Sequence, residues 1–153
     1  MDFGSDSIYK GNHLTFDADD QMTAYSDANY NLLLTAGYTG DGLRAWKAGA
    51  DGTKTYFIYN GEDLLAETDA NGNVLRYNTW GAGDLISRTE VANDASTFYQ
   101  FDSEGNVVQR LDSTDTVLTT AVFDAWGNQV AGDNPTDPYG YKGEFGYYTD
   151  AET

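Results

Sequence analysis

The chain has no cysteine, two prolines, one histidine, and only eight Lys and Arg against 25 Asp and Glu. Without cysteine there is no disulfide framework and no thiolate metal site. The formal net charge of −17 argues against nucleic acid as a partner, because a phosphate backbone is bound by exchanging its counterions for Lys and Arg. An anionic membrane surface is disfavoured on the same ground. The longest aliphatic run, Leu32-Leu33-Leu34, falls far short of the roughly 20 residues of a spanning helix. The start, Met1-Asp2-Phe3-Gly4-Ser5-Asp6, has neither the basic nor the apolar region of an export signal, and reads as an excised piece or a cytosolic protein. No 3.6-residue pattern persists beyond two turns, so very little helix is expected.

What is present is enough for a core. The 153 residues are 40% hydrophobic and 14% aromatic, which separates this chain from acidic disorder and fits one domain or one array of short repeats. The array is visible directly. An aromatic residue, a polar turn and an apolar strand start recur at Phe16, Tyr38, Tyr59, Trp80, Phe101 and Phe123, in steps of 22, 21, 21, 21 and 22. Gly42, Gly61, Gly105 and Gly127 occupy the turns that follow four of these rings. A weaker set of turns alternates with the first, at Asp27-Ala28-Asn29, Ala50-Asp51-Gly52, Asp69-Ala70-Asn71-Gly72, Asn93-Asp94-Ala95, Asp112-Ser113-Thr114-Asp115 and Asp133-Asn134-Pro135. Asp, Asn and Gly suit such turns because they tolerate positive φ and bond their own backbone. At least half of the 19 Asp fall there, so the acidity is largely turn chemistry.

The intervening segments read as strands. Thr53 to Tyr59, Asn73 to Trp80 and Thr116 to Phe123 are rich in β-branched and aromatic residues. The expected fold is all-β: an antiparallel meander of repeated hairpins, with each unit leaning on its neighbours in a curved or spiralling sheet. The chain divides into a partial repeat over 1–15, about six units of 21–22 residues over 16–132, and a distinct segment over 133–153.

Tyr38-Thr39-Gly40-Asp41-Gly42-Leu43-Arg44 with Thr53 to Tyr59, Glu67 to Val74, and Phe123-Asp124-Ala125-Trp126-Gly127-Asn128 resemble the YD repeats of Rhs proteins, which also occur in teneurins and Tc-type toxins. Asp137-Pro138-Tyr139-Gly140-Tyr141-Lys142-Gly143-Glu144-Phe145 through Thr153 is similar to the start of the Rhs repeat-associated core, cut short. The resemblance covers roughly Asn12 to Thr153. It implies a wall segment of a β-sheet shell that encloses a toxin or supports adhesion. It also implies a large secreted or surface bacterial protein, with the flanking repeats as partners.

The repeat itself accounts for most of the candidate sites. His13 with Ser5 and Ser7, and the paired acids Asp17-Asp19-Asp20 and Glu62-Asp63, are explained by a polar start and by turns, so no catalytic residue is assigned. Calcium wants six to eight oxygens. Asp17, Asp19, Asp20, Asp69 and Asn71 are the closest approach to such a set, without either known loop order. Gly81-Ala82-Gly83 lacks the third glycine and the helix of a phosphate loop. Trp46 and Trp126 lie off the ring positions and are candidates for stacking on sugar, while Tyr147-Tyr148 suits a docking strand. The expectation is a non-enzymatic structural module needing no cofactor, with a glycan- or calcium-binding surface module as the alternative. The open ends of the sheet are expected to associate edge to edge.

Overall fold

The computed structural model describes residues 5–9, 11–133 and 136–152. Thirteen strands run among the described residues: β1 Ser5–Tyr9, β2 Asn12–Phe16, β3 Met22–Ser26, β4 Leu32–Tyr38, β5 Arg44–Gly49, β6 Lys54–Asn60 and β7 Asp63–Thr68, then β8 Val74–Gly81, β9 Asp84–Glu90, β10 Ala95–Phe101, β11 Val107–Leu111, β12 Val117–Phe123 and β13 Gln129–Gly132. Each is hydrogen-bonded to its chain neighbour, in the order β1 through β13, in antiparallel pairs such as β1–β2, β2–β3, β4–β5 and β8–β9. A single helical turn, Gly143–Phe145, completes the elements. The fold is the expected all-β meander.

The turns explain the register. Seven share one construction, beginning at Asp17, Asp27, Thr39, Asp69, Asp102, Asp112 and Asp124. The first residue's N–H donates to the carbonyl four residues on, at 2.8–3.0 Å. The fourth residue takes positive φ: Asp20, Tyr30, Gly42, Gly72, Gly105, Asp115 and Gly127. This is the hairpin loop in which a type I turn is followed by a left-handed residue, and its twist matches the strands. In six of the seven an aspartate at the first position accepts two backbone N–H bonds, as Asp69 Oδ1 does from Asn71 and Asn73 at 2.8 and 2.9 Å. In four of them Asn at the fifth position returns its amide to the other carboxylate oxygen. Ala82 and Gly83 instead form the tip of a shorter hairpin, both with positive φ.

The six ring residues occupy one place in the pattern. Each lies at or one residue short of the end of an even-numbered strand, and all are half-buried. A register shift falls immediately before the ring at Phe16, Tyr38, Trp80, Phe101 and Phe123. Two rings reach back to a carbonyl 16 residues earlier: Tyr38 Oη donates to Met22 O and Trp80 Nε1 to Leu64 O, each at 2.9 Å.

The contacts divide into two units, over 1–58, 67–73 and 152–153, and over 59–66 and 74–151. In the first, Tyr25, Leu34, Ala36, Ala48 and Phe57 are buried. Trp46 lies over Gly37, where a Cβ would meet its indole at 2.5 Å, and the Lys54 ammonium sits 3.8 Å from its ring centroid. The second unit buries Leu85, Tyr99, Val107 and Tyr139 as one cluster, with Trp80, Phe101 and Tyr148 against it.

Candidate functional site

The densest chemistry lies in the second unit, where the chain after β13 folds back onto the strands it has just built. The register places Asn78, Arg88, Tyr99 and Arg110 on one face, through the cross-strand pairs Asn78–Arg88, Thr97–Arg88 and Tyr99–Arg110. Onto this face comes Tyr139, 0% exposed. Its hydroxyl accepts from Asn78 Nδ2 at 2.6 Å, and its carbonyl accepts from the Arg110 guanidinium. Its ring meets those of Tyr99 and Tyr148 edge-on, with centroids 5.8 and 5.9 Å away. These are the edge-to-face arrangements that aromatic quadrupoles favour.

Asp137 supplies the charge the buried arginine needs. One carboxylate oxygen lies 3.5 Å from Arg110 Nε and accepts the Tyr139 N–H at 3.0 Å, while the other accepts the Tyr99 hydroxyl at 2.8 Å. Burial first, and then the Asp137 charge, push the Tyr99 hydroxyl well above the usual tyrosine range, so it remains a donor. The Arg88 guanidinium lies 5.8 and 6.0 Å from the Tyr139 and Tyr148 ring centroids, within cation–π reach. Arg76 Nε meets both oxygens of Glu90, at 2.7 and 2.9 Å.

Backbone bonds fasten the rest of the segment. Val107 N–H donates to Gly140 O at 2.9 Å, Glu144 N–H to Gly105 O at 3.1 Å, and Thr149 N–H to Pro138 O at 2.8 Å. Lys142 donates its N–H to Asn106 Oδ1 at 3.0 Å and its ammonium to Glu104 O at 2.5 Å. The approach is close at Gly143, where a Cβ would stand 2.8 Å from buried Val107, while Gly105, at φ +82°, faces the ends of the Phe145 and Glu144 side chains. A groove of about 280 Å³ opens beside the segment, lined by Asp102, Glu104, Asn106, Phe123, Asp124, Ala125, Tyr141 and Lys142. Asp137 bonds the Tyr99 hydroxyl and the Tyr139 N–H while Arg110 bonds the Tyr139 carbonyl, so this arrangement holds a segment in place.

The residues singled out by sequence fall elsewhere. Asp17 Oδ1 accepts the N–H groups of Asp19 and Gln21, and Asp69 is bonded on both oxygens by Asn71 and Asn73 backbone N–H and the Asn73 amide. Among the described residues no three acidic or histidine side chains gather as a metal group. Trp46 carries Gly37 and Lys54 against its indole, whereas Trp126 is 88% exposed in its turn. Of the tyrosine pair, Tyr148 docks and bridges to Tyr139, while Tyr147 is exposed. Sequence reasoning missed Arg88, Arg110, Asp137 and Tyr139 as a group. The available signal was an arginine recurring 22 residues apart in two apolar strands of a chain with only eight cations.

The chain matches no family model. It is 35% identical over 147 residues to the tRNA3(Ser)-specific nuclease WapA of Bacillus spizizenii, covering 91% of this chain. It is 36% identical over 146 residues to the tRNA(Glu)-specific nuclease WapA of Bacillus subtilis subsp. natto, and 35% identical over 146 residues to the tRNA nuclease WapA of Bacillus subtilis strain 168. This chain is similar to a stretch of WapA. It spans 6% of the length of these curated relatives. Among solved structures it is similar to a chain of the Photorhabdus luminescens Tc holotoxin pore, at 15% identity and a TM-score of 0.41, over 79% of this chain and 7% of that one.

These names correct the expectation of a non-enzymatic structural module, since each WapA relative is named for nuclease activity. The alternative of a glycan- or calcium-binding module gains no support from them. The error has a physical source. A repeat array carries no catalytic signature, so its composition reports turn and strand chemistry alone.

Proposed function

We propose that this chain is a piece of a large secreted or surface-associated bacterial nuclease that acts on tRNA. On this reading 16–132 is a YD-repeat array and 133–153 the start of an Rhs core segment. The observation that carries the reading is the identity to WapA across 91% of the chain. The net charge of −17 opposes contact with a polyanion, so in the parent the tRNA rests on Lys and Arg carried outside these residues. The fold-back of Asp137 to Asp150 fastens the end of the array to β8–β11 and fixes where the chain leaves it. The test is incubation of the purified parent protein with total tRNA, followed by sequencing of the ends produced. Cleavage confined to one or a few tRNA species supports the reading, and intact tRNA overturns it.

A further inference from the structure

Among the described residues the ladder ends at β13, and the side-chain cover given to that strand is the Gln129 amide, which donates to Asp133 O at 2.5 Å and more distantly to Ala131 O at 3.4 Å. All four residues, Gln129, Val130, Ala131 and Gly132, are exposed, and among the described residues they line a shallow groove of about 340 Å³. An edge strand offers free N–H and C=O groups, and proteins usually blunt it with lysine, proline or an inward charge. β13 has none of these. The strand that would continue the meander does not follow it, because the chain turns instead into the segment that docks on β8–β11.

The surroundings select the chemistry of an occupant. Asp124 opens the turn before β13 and Asp133 closes the strand, its carboxylate accepting Thr120 N–H at 3.0 Å. That turn also presents Trp126, 88% exposed, whose ring face suits a Lys or Arg side chain. A second copy of the chain would bring −17 against −17. We infer that the β13 edge receives, as an added antiparallel strand, a basic extended segment of the parent protein lying outside these 153 residues. Main-chain bonds give such pairing its affinity, and the acidic flanks choose a cationic partner. The inference rests on the nuclease reading, which requires a cationic part elsewhere in the parent to hold tRNA.

The test uses the chain as it stands with two synthetic peptides, one alternating lysine with valine and the other alternating glutamate with valine. Amide resonances of Gln129–Gly132 are followed by NMR on titration. The lysine peptide is expected to shift and protect them, to bind several-fold more weakly at high salt, and to lose binding in Val130→Lys with the rest of the spectrum unchanged. Equal binding of the glutamate peptide, or shifts that avoid β13, overturns the inference. So does self-association through β13 seen by light scattering without peptide, which would make a second copy the occupant. None of these readouts depends on tRNA cleavage, so failure here leaves the nuclease assay to be judged separately.

Discussion

Removing the Tyr139 ring tests whether the fold-back is a stabilising contact or a loosely laid tail. The side chain is fully buried between Leu85, Tyr99, Val107 and Tyr148. Truncating a buried aromatic to alanine costs about 3–5 kcal/mol, from lost transfer energy and from the cavity left behind. Tyr139→Ala also takes from Asn78 Nδ2 one of its two acceptors, leaving Leu64 O at 2.8 Å. Tyr139→Phe removes only that second bond and should cost about 1 kcal/mol. Urea unfolding followed by near-ultraviolet circular dichroism measures both. Hydrogen exchange at Val107, whose N–H donates to Gly140 O, reports the segment itself. Tyr139→Ala should lower stability about threefold more than Tyr139→Phe and speed exchange at Val107. Equal, small effects from both, with Val107 protection unchanged, would refute a docked segment.

Two glycine substitutions separate backbone strain from contact. Gly72 and Gly105 have φ of +81° and +82°, but a Cβ on Gly72 meets nothing while one on Gly105 strikes Phe145 and Glu144. Gly72→Ala should cost about 1–2 kcal/mol from the left-handed backbone alone, and Gly105→Ala that plus the cost of displacing the Phe145 and Glu144 side chains, read as a larger drop in thermal melting. At Asp115, φ +63°, glycine should be neutral to slightly stabilising, because it relieves the same strain. Acid should weaken the array through its turns. Bonds from the amides of Asn31, Asn73 and Asn128 hold Asp27, Asp69 and Asp124 below the usual 3.8. On acidification the unfolded chain therefore takes up protons first, and the contribution of these turns is whole above the unfolded value and disappears as pH falls below it. Asp69→Asn should flatten this part of the pH profile of unfolding, and an unchanged slope would count against the turn carboxylates as its source.

The array was legible because its punctuation is chemical. Asp at the first turn position, Asn at the fifth and Gly at the fourth each answer a local backbone requirement, so a one-dimensional reading finds them. The strands over 54–60, 74–81 and 117–123 follow from β-branched and aromatic content between those marks. The tight packing around Tyr139 was not legible. Its partners Asn78, Tyr99 and Arg110 lie 61, 40 and 29 residues away, and no local pattern encodes such a meeting. Tyr148 was readable as a docking residue, yet the buried Asp137–Arg110 pair emerges only once the register sets Arg110 beside Tyr99. The activity of the relatives was the least legible of all, since these residues spend their polar groups on turns and on one another.

The reach of Tyr38 and Trp80 back across 16 residues has a consequence for how such chains change length. Loss or gain of a single residue inside β4 or β8, between the hairpin tip and the ring, swings the ring to the opposite side of the strand and leaves its donor stranded. Removal or duplication of a whole 21–22-residue block returns every donor to an equivalent carbonyl. Kin of this array should therefore differ in size by whole blocks, and isolated indels should gather at the hairpin tips where no ring must find its mark.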